Sequence, residues 1–261
     1  MSLKSVVGAI VAIALLLAWP IDLRAADWSG QKLANTPTQF IFGYGSLINT
    51  ASRNATAGSA TVAIPARISV AFGYVRTWNE RSPYGFTALG LRRPHAGESA
   101  STINGVVYPV EGGDLAKFDA RESRYTRVEV PIENIEPVGW QRLPERGQIW
   151  IYVPARRGTA GDAELPEPDA AYPLLESYID VVVEGALEYG PDFARELLET
   201  TAGWSKYWLN DRELARRPWV HDSRAAAVDR LLATIAPASA FFPERAYGEK
   251  YAARWLLEKA Q

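Results

Sequence analysis

Cysteine is absent from this chain. That excludes a thiol nucleophile, a thiolate metal site, disulfides and the acylated cysteine of a lipoprotein. Histidine is nearly absent: His95 and His221 are the only two. Neither has a second histidine at metal-ligand spacing, which argues against a zinc enzyme. Their contexts, Arg92-Arg93-Pro94-His95 and Val220-His221-Asp222, read as surface or capping positions. Positive charge is not in excess either. The 28 basic and 30 acidic residues are interspersed and leave a formal charge of -2, so no basic stripe is available for nucleic acid. Neither a metal nor a cofactor is expected.

The apolar run Val6 to Trp19, behind Lys4, is shorter than the roughly 20 residues of a membrane span. Ala25-Ala26 follow as small residues where a signal peptidase can cut. Residues 1–26 therefore read as a signal peptide on an exported chain, periplasmic or secreted, with no stable span once the signal is removed. An uncleaved N-terminal anchor and a buried helix remain open alternatives, since Arg24 is a poor residue three before a cut after Ala26.

The 261 residues fit one large domain or a domain with a substantial extension, and 48% hydrophobic content suits a globular core. No internal repeat or low-complexity block interrupts it. From Thr38 to about Val153, short β-branched and aromatic runs alternate with Gly, Pro and charged turns. This predicts strands over Gln39–Gly43, Ala60–Trp78, Gly85–Arg92, Ile103–Val110, Tyr125–Pro131 and Gly147–Val153. The long second stretch is expected to bend or break near Pro65 or Gly73. One helix is expected in this region, from an N-cap signal at Gly112-Gly113-Asp114 to Arg121. The pattern predicts an α+β core over residues 38–160, closed as a barrel or strongly curled.

Beyond Leu165-Pro166-Glu167-Pro168 the period becomes helical. Leu174, Leu175, Tyr178, Ile179, Val182 and Val183 recur at helix spacing, and Gly190-Pro191-Asp192 ends one helix and starts another that runs to about Glu199. A third helix is expected from Ser223 to Ile235. Residues 170–261 thus read as a helical extension packed on the core, with Trp204, Trp208 and Trp219 fastening it.

Two segments can carry chemistry. Phe40-Ile41-Phe42 ends in Gly43-Tyr44-Gly45-Ser46-Leu47, a strand entering a turn whose backbone N–H groups are little shielded and suit an anionic group. The second is Phe118-Asp119-Ala120-Arg121-Glu122, followed by Tyr125 and Arg127. It puts a carboxylate at a helix-to-strand junction, a common place for a partly buried, pKa-tuned group. Glu122 can equally form a salt bridge with Arg121, Arg124 or Arg127, and Asp119 reads as a helix or turn stabiliser. At the end of the second strand region, Arg76 can pair with a carboxylate and Trp78 can wall a pocket, with Asn79 beside them.

In their order and spacing, four motifs resemble the γ-glutamylcyclotransferase-like superfamily: Tyr44-Gly45-Ser46-Leu47, the run Pro65 to Phe72, Asn104-Gly105-Val106-Val107-Tyr108-Pro109-Val110, and Leu115…Phe118-Asp119…Glu122…Tyr125…Val128. The resemblance covers about Phe40 to Pro131 and implies a small mixed β-barrel. It implies that Tyr44, Gly45, Ser46 and Leu47 hold the amino-acid end of a γ-glutamyl substrate. It further implies that Glu122 is the general acid and base; Arg76, Trp78 and Tyr125 are read from their positions as candidate walls. The expected reaction cyclises a γ-glutamyl amide to 5-oxoproline and releases an amine or amino acid. That chemistry suits a chain poor in nucleophiles, because the substrate's own α-amine attacks its side-chain carbonyl. Two other readings stay open: a non-catalytic envelope protein that binds a small acidic ligand or partner through the Tyr44–Leu47 loop, and transfer of the γ-glutamyl group to an external amine.

Overall fold

The computed structural model describes residues 26–33, 35–111, 113–155, 166–214 and 224–257. Apart from Ala26, the signal segment lies outside these residues, as do Trp219 and His221. Among the described residues no helix is long and apolar enough to cross a membrane.

A short antiparallel hairpin, β1 (Ala26–Trp28) and β2 (Gln31–Leu33), precedes the core. The core is organised around β3 (Gln39–Gly43), whose Phe40, Ile41 and Phe42 are all buried. Such a continuous apolar run befits a strand covered on both faces. Next come β4 (Ile64–Ile68), β5 (Val75–Ser82), β6 (Phe86–Arg92), β7 (Ile103–Pro109), β8 (Tyr125–Val130), β9 (Ile135–Pro137) and β10 (Gln148–Pro154). Six of them pair in the order β8-β10-β3-β7-β4-β9, with β3 parallel to β10 and antiparallel to β7. The hairpin β5–β6 belongs to a separate sheet, and a bulge between Trp78 and Glu80 interrupts its register. The pairings among the described residues leave the six-stranded sheet open, so the core is mixed α+β, built on this sheet and the separate one that holds β5 and β6.

The long stretch Ala60–Trp78 divides into β4, a 3₁₀ turn at Val70–Phe72 and β5. The break falls at Gly73, whose φ of +77° is open to glycine and costly for other residues. The one helix expected around the core is present before β8 as α2 (Asp114–Arg121). The expectation of a single helix fails, because α1 (Thr50–Ala57) follows the glycine turn directly. With Thr-Ala-Ser-Arg-Asn-Ala-Thr-Ala, α1 has no apolar stripe to announce it. Its ends are nevertheless marked: Asn49 accepts the Ser52 N–H at 3.0 Å, and Gly58 closes the C-terminus at a φ of +76°.

The extension carries β11 (Leu174–Leu175), α3 (Glu176–Leu187), α4 (Pro191–Glu199), β12 (Thr201–Ala202), β13 (Trp208–Asn210), α5 (Ala225–Thr234), β14 (Ala246–Tyr247) and α6 (Gly248–Ala252). It therefore contains short strands as well as helices. β11, β13 and β14 form their own sheet, and β12 adds to the core hairpin beside β5, with Thr201 opposite Arg76. Trp204 stands edge-on to Trp78 at 5.1 Å and so fastens the extension to the core, whereas Trp208, expected to do the same, packs on Trp204 at 5.2 Å and Phe242 at 5.8 Å within the extension.

Two polar knots add to this packing, one between core and extension and one within the extension. Arg76, fully buried, donates to Asn104, Leu197, Thr200 and Thr201. Burial pulls its pKa down to about 9. Arg212 and Arg245 bridge the buried Glu176 to Asp229, and Arg212 also takes Asp180. Burial raises Glu176 to about 7 despite these cations.

Helix α3 meets the glycine turn where side chains are smallest. A Cβ at Gly185 falls 2.4 Å from the Asn49 nitrogen. Gly185→Val is therefore expected to lower stability by about 1–3 kcal/mol, as overpacking does, in urea denaturation. A loss below about 0.5 kcal/mol, the range of a neutral surface change, would show that this contact is not tight.

Candidate active site

Strand β3 delivers its chain into a turn that folds back on itself. A Cβ at Gly43 falls 2.9 Å from Leu47 Cβ and 3.2 Å from the Leu47 carbonyl carbon, so the turn needs glycine there. Ser46–Ile48 then forms a 3₁₀ turn, closed by the Ile48 N–H donating to Gly45 O at 2.9 Å. Arg53, buried in α1, donates to the Leu47 and Ile48 carbonyls at 3.1 and 2.9 Å. It satisfies acceptors that a short turn leaves open.

The turn lines a recess of about 330 Å³, counting its open mouth. Gly43 to Leu47 form one side, and Phe42, Leu89, Glu122, Tyr125, Tyr152 and Tyr178 the rest. Three of the phenols are placed by backbone or carboxylate acceptors. Tyr44 donates to Tyr152 O at 2.7 Å, Tyr125 to Leu89 O at 2.8 Å, and Tyr152 to Asp119 Oδ1 at 2.8 Å. Burial holds the Tyr44 and Tyr125 hydroxyls well above their ordinary range, so they remain protonated donors.

Glu122 caps the C-terminus of α2. Its N–H donates to Phe118 O, and its carbonyl accepts the Tyr125 N–H, both at 2.8 Å, as the chain turns into β8. Phe118, buried against the Tyr108 ring at 5.6 Å, anchors that helix end. The Glu122 side chain is 15% exposed, and its Oε1 lies 3.1 Å from Arg121 Nε. Burial raises its pKa, and Arg121 opposes the shift by charge and hydrogen bond without cancelling it. The Arg121 guanidinium also donates to Ser46 Oγ at 3.0 Å, Ser52 Oγ and Ser52 O at 3.1 Å, and Thr56 Oγ1. One cation thus joins the carboxylate to the turn and to α1.

Of the three arginines that could pair with Glu122, only Arg121 does so. Arg124 pairs with buried Glu80 at 2.5 Å and Arg127 with Asp119 at 2.9 Å. Asp119 stands outside the recess and holds Tyr152 in the wall. His95 lies in an exposed loop, its N–H on Glu98.

Tyr44, Gly45, Ser46, Leu47, Glu122 and Tyr125 come together in one recess. Arg76 and Trp78 do not line it. Arg76 sits behind the turn, its Nη1 3.5 Å from Tyr44 O, because its guanidinium is taken up by the extension. Trp78 packs between Tyr178 and Trp204. Asn79, beside them on the bulge, is buried and also outside the lining. Phe42, Leu89, Tyr152 and Tyr178 had no distinguishing signal, since each sits in an apolar pattern that reads equally well as core. Among the described residues, no group of three or more His, Cys, Asp or Glu is placed to hold a metal ion.

The family described as Gamma-glutamyl cyclotransferase, AIG2-like, matches residues 41–172, and the chain belongs to it. The matched span includes the turn and Glu122 and ends before α3. No curated protein matches the chain significantly. Among solved structures, one titled Gamma-glutamyl cyclotransferase is 16% identical, with a TM-score of 0.42, over 60% of this chain and 85% of its own. A Homo sapiens protein titled as uncharacterized gives the same four values: 16%, 0.42, 60% and 85%. An Arabidopsis thaliana protein solved in solution is 23% identical, with a TM-score of 0.31, over 44% of this chain and 61% of its own.

The two turn glycines differ in a way that can be measured. A methyl at Gly45 meets Leu89 Cβ at 3.6 Å and Tyr178 Oη at 3.7 Å, ordinary contacts. Gly45→Ala is expected to unfold within about 0.5 kcal/mol of wild type, while Gly43→Ala loses about 1–3 kcal/mol. Chemical denaturation reads both, and the reverse order would contradict the geometry of the turn.

Proposed function

We propose that this protein is an exported enzyme that cyclises the γ-glutamyl group of a γ-glutamyl amide or peptide to 5-oxoproline. The observation that carries the proposal is the placing of Glu122 and the Gly45–Leu47 backbone in one aromatic-walled recess. Family membership supports cyclotransferase chemistry at the level of the class. The apolar run Val6 to Trp19 behind Lys4 supports export.

The backbone of Gly45 to Leu47 receives the substrate's α-carboxylate, and the tyrosine and phenylalanine walls hold the chain folded back. The Glu122 carboxylate takes a proton from the α-ammonium. The freed lone pair attacks the side-chain carbonyl carbon, forming the C–N bond of a five-membered ring. The tetrahedral intermediate collapses by breaking the bond to the departing amine, whose nitrogen receives the proton from Glu122. The second proton lost by the attacking nitrogen passes to solvent or to the released amine, so atoms and charge balance. Intramolecular attack in a held conformer can provide effective molarities of roughly 10⁵–10⁸ M, and a positioned acid/base adds about 10²–10⁴-fold. The raised pKa suits the double duty, because burial makes the carboxylate a better proton acceptor than an ordinary glutamate while leaving it able to return the proton.

The test is mass spectrometry of a panel of γ-glutamyl amides incubated with protein recovered from the periplasm or medium. Wild type is expected to release 5-oxoproline, and Glu122→Gln to reduce its rate by about 100-fold or more with an unchanged melting temperature. Undiminished turnover by Glu122→Gln would remove Glu122 from the reaction. A new amide in place of 5-oxoproline would favour transfer to an external amine, and binding without turnover would favour the ligand-binding reading.

A further inference from the structure

The junction from α2 into β8 holds Arg121, Arg124 and Arg127, yet of the three only Arg121 pairs with Glu122. Arg127 is drawn to Asp119 in a contact whose side chains are 30% and 45% exposed, the kind of surface pair that holds weakly. Arg124 is held more firmly. It lies inside a tight turn that begins at Glu122 and is closed by the Tyr125 N–H on the Glu122 carbonyl at 2.8 Å. Its Nε nevertheless lies 2.5 Å from Glu80 Oε1, and the Glu80 side chain is only 8% exposed. Glu80 comes from the other sheet, directly after the bulge that follows Trp78, a distortion of the kind that re-aims a side chain. The charges of Glu80 and Glu122 both act on the Tyr44 and Tyr125 hydroxyls. Two buried carboxylates thus flank the same two phenols, and each has its own arginine. Glu122 is faced by Arg121 from α2, Tyr44 from the turn, Tyr108 from β7, Tyr125 from β8, Tyr152 from β10 and Tyr178 from α3. The one cation that acts on it is Arg121.

We infer that Glu80 is a positioning residue for Glu122: by taking Arg124, it holds the second arginine of the junction aside, so that the carboxylate in the recess keeps a single cationic partner. The inference rests on the role given to Glu122 under Proposed function. A second arginine beside Glu122 would add its attraction to that of Arg121 and favour the anion against burial, which weakens the carboxylate as a proton acceptor. The bulge of β5, whose Trp78 and Asn79 stand outside the recess, thereby gains a part in tuning it.

The test is a carbon-13 NMR titration of the Glu122 carboxyl in variants of this pair, with the melting temperature of each. Glu80→Met removes the acceptor and releases Arg124, whose side chain is 29% exposed and can move; the Glu122 midpoint is expected to fall by about one pH unit or more. Glu80→Gln keeps an acceptor but not the charge. It is expected to lower the midpoint in the same direction by less, and it serves where Glu80→Met does not fold. In Glu80→Met/Arg124→Met the midpoint is expected to return to that of wild type, and apolar replacement of a buried pair is well tolerated. A pair that only braces the hairpin would change the melting temperature and leave the midpoint alone. No fall in the Glu80 variants, or a midpoint that stays low in the double variant, would overturn the inference. The acid limb of 5-oxoproline release is expected to follow the same midpoints, since it reports the base form of the free enzyme. Midpoints that move as expected in a protein that cyclises no γ-glutamyl amide would leave Glu80 its role and refute the reaction. Cyclisation with unmoved midpoints would do the reverse.

Discussion

Arg121 is the cation on which the geometry of the recess depends. It ties the carboxylate at the end of α2 directly to the turn at the end of β3, and it adds to the Lys117 hydrogen bond that runs from α2 to Ala57 O of α1 at 3.1 Å. Arg121 donates to Ser46 in the turn and to Ser52 and Thr56 in α1, and stands 3.1 Å from Glu122. It also sets the balance that tunes Glu122. An ion pair near 4 Å is worth on the order of 4 kcal/mol at an effective dielectric of about 20. Removing a carboxylate from water costs several kcal/mol. The opposing effects are of similar size, and desolvation prevails, which leaves Glu122 above the ordinary glutamate range. A general acid and base needs that intermediate position, neither stripped of its proton by a strong partner nor neutral at every pH.

The extension takes part in the same constraint. It adds β12 to the core hairpin, buries Arg76 under Leu197 and Thr200, and presses α3 onto the turn through Gly185. A segment beyond the family match is thus packed against the core hairpin and the glycine turn. The buried carboxylates Glu176 and Asp180 point to the same economy: with Arg212 and Arg245 they hold α3 to β13, β14 and α5 instead of serving a second site.

Strand positions around the core were legible because aromatic and β-branched runs are bracketed by glycine, proline and charge; β3, α2 and β7 fall within a residue or so of their sequence reading. The turn and Glu122, each a weak signal alone, were singled out by the order and spacing of the motifs that resemble the γ-glutamylcyclotransferase-like superfamily. What sequence did not disclose was relational. Helix α1 is short of apolar residues and is marked only by Asn49 and Gly58. Sheet order, and with it whether a barrel closes, depends on pairings between segments far apart in the chain. Tyr178 sits in an apolar helical stripe indistinguishable from core, whereas Arg76 and Trp78, which looked like pocket residues, are drawn one layer back by the extension.

The central claim is that burial outweighs Arg121 at Glu122, and the most direct measurement is a carbon-13 NMR titration of glutamate-labelled protein, with the Glu122 carboxyl assigned by its loss in Glu122→Gln. A midpoint above the ordinary glutamate value of 4.5 is the predicted result. A midpoint at or below 4.5 would mean that the ion pair prevails and that Glu122 is a structural anion.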